Sequence, residues 1–107
     1  MASTPKRLAG PALVSNAAAT KYTTPAATKT VVRHIHVQNP SASAVDLTMS
    51  IGADAAGTRI LDGYPIDADS ALDLWVYFVL EATEIIQAFA GTNNILTLTI
   101  DGDERTP

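Results

Sequence analysis

The chain has 107 residues, 47% of them hydrophobic, and no cysteine, which fits one domain around a single core and argues against the disulfide-rich secreted class and any thiolate metal site. No apolar run approaches the roughly 20 residues of a membrane span, and the start, Lys6-Arg7 ahead of a short apolar stretch broken by Gly10-Pro11, falls short of a signal peptide. The formal net charge of −4 is divided: Lys6, Arg7, Lys21, Lys29 and Arg33 precede residue 45 with no acidic residue among them, whereas Arg59 and Arg105 stand against eleven acids after it.

Residues 1–27 are rich in Ala, Thr, Pro and Ser and hold neither a 3.6-residue nor a 2-residue period. They read as an extended basic N-terminal arm ahead of a domain at residues 28–107. β-Branched Thr and the prolines disfavour helix and permit short edge strands, best at Lys21-Tyr22-Thr23-Thr24. The arm's charge suggests a tail that meets an acidic surface, on a partner or on another copy of the chain. Lys6, Arg7, Lys21, Tyr22 and Lys29 are its candidate contact residues. On this reading, removal of residues 1–20 leaves the domain folded. Five spaced cations with one aromatic make a thin footprint for nucleic acid beside an acidic body, so neither nucleic acid nor a membrane is an expected partner.

Residues 30–38 form a β-branched run closed by the turn signal Asn39-Pro40-Ser41. Val31, Ile35 and Val37 would share an apolar face that Arg33 interrupts, and His34, His36 and Gln38 the opposite one. Val45, Leu47, Met49 and Ile51 alternate strictly with polar residues, the cleanest strand in the chain. A loop at residues 52–57 leads to a short strand at 58–61, a turn at Asp62-Gly63-Tyr64-Pro65 and a brief extended piece from Ile66.

In residues 71–80, Leu72, Leu74, Val76, Phe78 and Leu80 face one way, with Asp73, Trp75, Tyr77 and Val79 opposite. Both faces are rather apolar, which predicts a central strand or one with a covered second face. Propensity favours helix over residues 81–90, but the spacing of the flanking strands favours a turn at 81–83 and a strand at 84–90. Gly91-Thr92-Asn93-Asn94 turns into a last strand at 95–100, with Leu96, Leu98 and Ile100 inward and Asp101-Gly102 as its end. Seven or eight short strands at these intervals predict an all-β antiparallel sandwich, jelly-roll-like, behind the extended arm.

Chemistry-bearing patterns are sparse. His34 and His36, two apart on one strand, project from one face and could share a metal. No local spacing supplies a third ligand, so they read as outer-face or interface residues. An enzyme would need them beside a carboxylate in a concave pocket. The acidic pairs at Asp67/Asp69 and Asp101/Asp103 lack the oxygen-rich loop that calcium requires, and no glycine-rich phosphate loop follows a strand. No catalytic residue, metal or cofactor is expected. Arg33, His34, His36, Trp75 and Tyr77 are candidate interface residues, aromatics and Arg being enriched in such surfaces.

Behind the opening run Lys6-Arg7-Leu8-Ala9, five stretches carry a family resemblance. Tyr22-Thr23-Thr24-Pro25 is followed by Val32-Arg33-His34-Ile35-His36-Val37-Gln38-Asn39, a "Tyr-x-x-Pro" arm before a "Val-x-x-Ile-x-Val-x-Asn" strand. Leu80, Ile86-Gln87-Ala88 and Gly102-Asp103-Glu104 follow in order. This pattern resembles small β-sandwich structural proteins of tailed bacteriophages, departing from them at Glu81-Ala82-Thr83-Glu84, where a glycine-containing turn is usual. The resemblance implies a virion protein without enzymatic activity. Foremost is a head decoration (cement) protein, a homo-oligomer and often a trimer, that binds the major capsid protein or another virion protein. A tail, baseplate or head-fibre component is the alternative within that class. A carbohydrate-binding adhesin module is the alternative outside it.

Overall fold

The computed structural model describes residues 2–106; Met1 and Pro107 of the two predicted segments lie outside them. The described residues form eight strands and no helix: β1 (Ala2–Leu13), β2 (Ala19–Thr23), β3 (Lys29–Asn39), β4 (Val45–Ile51), β5 (Arg59–Ile66), β6 (Ser70–Leu80), β7 (Ile85–Ala90) and β8 (Thr97–Thr106). They build two four-stranded antiparallel sheets, β1-β8-β3-β6 (sheet I) and β2-β7-β4-β5 (sheet II). The pairing is nested. β4 pairs with β5, β3 with β6, β2 with β7 and β1 with β8, while β3·β8 and β4·β7 complete the sheets. This is the strand order of a jelly roll, the double-sheet solution that buries one face of each sheet against the other.

The inward faces are those that the alternation picks out. Leu47 and Met49 of β4, Leu98 and Ile100 of β8, Ile35 and Val37 of β3 and Leu80 of β6 are buried in one cluster with Ile86 and Leu96. The helical propensity of residues 81–90 loses to pairing, since β7 lies between β2 and β4. Thr83 takes a left-handed φ of 69° in the turn before it, the conformation that glycine usually supplies. Asn39 closes the β3–β4 turn from inside: fully buried, its Nδ2 donates to the carbonyls of Ser43 and Ile66, both at 2.9 Å, and its Oδ1 accepts from the Ser41 amide at 3.0 Å.

Several expectations are corrected. The N-terminal segment is extended, but it is no separate arm: β1 is the edge strand of sheet I, paired with β8 from Ala2↔Thr106 to Leu13↔Thr97, and β2 is the edge of sheet II. Its Leu8 and Val14 enter the core. Weak alternation hides such a strand, because backbone pairing holds it and two register shifts break its period. Gly10 sits at the second of these, where an added Cβ would lie 2.0 Å from the Leu98 carbonyl oxygen. β5 runs straight through the expected turn at Asp62-Gly63-Tyr64-Pro65, bulged against β4; an edge position lets it carry Pro65 without a missing ladder bond.

β8 likewise continues past Asp101-Gly102, because β1 and β3 pair with it on both sides. Gly102 is needed there for close approach, an added Cβ falling 2.1 Å from the Val31 carbonyl oxygen. β6 is neither central nor covered: it is the free edge of sheet I, with Trp75, Tyr77 and Val79 exposed. Arg33 is not an inward residue. It is the extra residue of a bulge, Val32 pairing with Gly102 and His34 with Asp101. The bulge reverses the alternation of β3, so Val31 faces away from the core and Val32 into it.

The charge division is met in part within the chain. Lys6 pairs with Glu104 at 3.2 Å, Lys29 with Glu81 at 3.6 Å and Arg33 with Asp103 at 2.9 Å, and Lys21 donates to the Leu13 carbonyl at 3.0 Å. Much of the acidic surface that the basic segment meets is its own C-terminal strand. Glu104 gathers three strands there. It accepts from Lys6 on β1 and from the buried Tyr22 hydroxyl on β2. With its one proton given to the carboxylate, Tyr22 Oη accepts from Thr30 on β3 at 2.7 Å.

Burial, then the bond to Glu104, pushes the Tyr22 hydroxyl up to about 12, while that bond, followed by Lys6, holds Glu104 below its ordinary range. The raised tyrosine value stabilises the fold below its ordinary 10.0 and ceases to do so as pH climbs toward 12. The lowered carboxyl stabilises it above 4.5 and ceases to do so as pH falls. Urea midpoints are therefore expected to be flat between these limits and to fall beyond both. Tyr22→Phe should cost about 1–3 kcal/mol by leaving Glu104 short of a donor, and should remove this alkaline limb. Equilibrium unfolding across pH checks this, and superimposable profiles for the two proteins would contradict it.

Candidate functional site

The outer face of sheet I brings together all five predicted interface residues. Antiparallel register sets them in rows across the strands. Arg7, Asp101, His34 and Trp75 form one row, and Thr99, His36 and Asp73 the next. The residue types follow from the pleat: past the bulge, even positions of β3 and odd positions of β6 and β8 point outward.

Trp75 is the most exposed large hydrophobic side chain on this face, 79% accessible, beside Tyr77 at 61%. One side of its indole is taken by the His34 imidazole, stacked at 4.0 Å between centroids and 14° from parallel. The Arg33 guanidinium stands 5.4 Å over the Tyr77 ring while its Nε and Nη2 reach Asp103 at 2.9 Å. Cation, carboxylate and aromatic ring thus fix one another on an otherwise open surface.

The histidines acquire the carboxylate that the sequence does not disclose. Asp73 lies opposite His36, and its Oδ1 is 2.6 Å from His36 Nδ1 and 2.9 Å from His34 Nε2. These bonds, from His36 first and then His34, hold the Asp73 carboxyl below the usual carboxylate range. Asp101 Oδ2 lies 3.8 Å from His34 Nδ1 on the other side. Among the described residues, His34, His36 and Asp73 are the group whose geometry could hold a metal ion. The signal for Asp73 is its outward parity on β6; which outward residue of β6 meets which histidine depends on the register.

The carboxylate required for catalysis is therefore present, but Asp73 and Trp75 are exposed on the open sheet face. Of the arm residues, Tyr22 is buried and used internally, Lys6 and Lys29 are ion-paired, and Arg7 stays exposed in the row that ends at Trp75. Arg7 thus joins the candidate face, and Lys6 lines the same shallow hollow with Arg33, His34 and Trp75. No family model matches the chain, and neither a curated protein nor a solved structure matches it.

Proposed function

We propose that the chain is a non-enzymatic virion structural protein, foremost a head decoration protein that docks on the capsid lattice through the outer face of sheet I. The observation that carries this reading is the uncovered aromatic strip of β6: Trp75, Tyr77 and Val79 are all exposed on one face of an edge strand. Large apolar side chains grouped this way mark protein interaction surfaces. The jelly-roll order is shared by viral capsid and lectin domains, which supports the class without deciding the function. Each contact would be modest, and many copies acting together would stiffen a shell. A homo-oligomer, a trimer foremost, suits a lattice with local symmetry.

The test is the chain's location and copy number in purified particles. Hundreds of copies on the head are expected for a lattice protein. About three, six or twelve at one vertex or along the tail would replace decoration by the tail or baseplate reading, and absence from particles would overturn both. Truncating Trp75 to Ala should weaken head binding by about 2 kcal/mol, roughly 30-fold, if it anchors the contact. The exposed face of the Trp75 indole also favours a second reading, a carbohydrate-binding module. A glycan array without binding would remove it.

A further inference from the structure

Three side chains on the outer face of sheet I converge on one point. We propose that His34, His36 and Asp73 form a site for a divalent transition-metal ion of the zinc class, with its outward coordination position open to water. The donor set is two imidazoles and one carboxylate, which suits zinc and its neighbours; calcium and magnesium require oxygen ligands in greater number.

The geometry needs little adjustment. One ligand atom from each residue lies within 4.8 Å of the others, and both imidazole nitrogens are directed at the same Asp73 oxygen, at 2.9 and 2.6 Å. Metal–ligand bonds of about 2.0–2.2 Å in a tetrahedron place ligand atoms roughly 3.4 Å apart. The two nitrogen–oxygen distances thus have to open by under about 1 Å, and the two imidazole nitrogens, no more than 4.8 Å apart, have to close by at most about 1.4 Å. Both histidines and Asp73 stand on paired strands, so the backbone fixes their spacing.

The surroundings suit an ion. Trp75 stacks on His34 and sets the plane of its ring, and Asp101 faces the ring's other nitrogen, the place of an outer carboxylate that orients a metal-bound histidine. Arg33, next along β3, is turned to Asp103. Side-chain exposures of 18%, 39% and 49% for His34, His36 and Asp73 give an ion access from solvent. This inference does not depend on the virion role.

The experiment is metal titration of the tag-free full chain after dialysis against chelator, using zinc by calorimetry and cobalt(II) as an optical probe. One ion per chain is expected, with a cobalt spectrum of four-coordinate type. His36→Ala and Asp73→Asn should each abolish saturable binding while the metal-free chain still unfolds cooperatively. Asp101→Asn should weaken it about 10- to 100-fold, and Gln38→Ala, on the same face outside the triad, should leave it unchanged. If His36→Ala folds poorly, His36→Gln gives the same readout. Failure of the wild type to bind saturably, or binding that survives both ligand substitutions, would show that hydrogen bonds alone hold the cluster and overturn the proposal.

Discussion

Removal of residues 1–20 should abolish cooperative unfolding. The deletion takes away all of β1 and the start of β2, and with them the core side chains Leu8 and Val14. Burying each is worth about 1.5–3 kcal/mol, against about 5–15 kcal/mol for the whole fold of a domain. It also strips the backbone partner from β8, turning a paired strand into an open edge prone to pairing with other chains. Circular dichroism on heating and size-exclusion chromatography would report this as a lost transition and soluble aggregates. A truncated chain that melts cooperatively within a few degrees of the full one would restore the reading of residues 1–27 as a detachable arm.

The second large effect is expected from the middle of the core. Leu47 and Leu98 occupy facing sheets and are 0% and 1% exposed. Truncation of either to alanine removes transferred surface and leaves a cavity, together about 2–5 kcal/mol. Close packing on both sides of the sandwich puts both in the upper part of that range. Urea titration should show a lower midpoint with an unchanged slope. Thr97→Ala, on the outer face of the same strand as Leu98, should stay within about 0.5 kcal/mol of wild type. A loss below about 0.5 kcal/mol for Leu98→Ala would place its side chain outside the core.

The parts of this fold that are legible in the sequence are those where apolar and polar residues alternate along a strand. β4, β6 and the first half of β8 show their inner residues directly, although the polar Thr48 and Ser50 on the other face of β4 are buried too. Elements held by backbone pairing are not legible in that way. β1 and β5 are edge strands rich in glycine, proline or small residues, and the second half of β8 follows an Asp-Gly pair that elsewhere marks a turn. In each, pairing with a distant strand overrides local turn chemistry. Bulges add a second loss: the slip at Arg33 moves Val31 and Val32 to the opposite faces from those that unbroken alternation gives.

The same limit applies to the candidate site. His34 and His36 share a face by parity alone, and Trp75 and Tyr77 share theirs. That the two sets belong to one face, and that Asp73 meets both histidines, depends on the β3·β6 register. Register arises from inter-strand packing, and neither strand encodes it alone. The charge division was visible from composition, but its meaning changed with the fold: the basic segment lies along the acidic strand that follows it by some 90 residues, Lys6 against Glu104 being the clearest case.

The nested pairing that joins Ala2 to Thr106 also decides how the molecule could carry cargo. Ala2 on the edge strand β1 and Thr106 on its neighbour β8 lie side by side, at the edge of sheet I opposite to β6. Three strand spacings, roughly 14 Å, separate that edge from the aromatic strip. A peptide or domain fused to either end would be displayed at the same place and clear of Trp75, and a short linker between the ends would allow the chain to be reopened in a loop elsewhere.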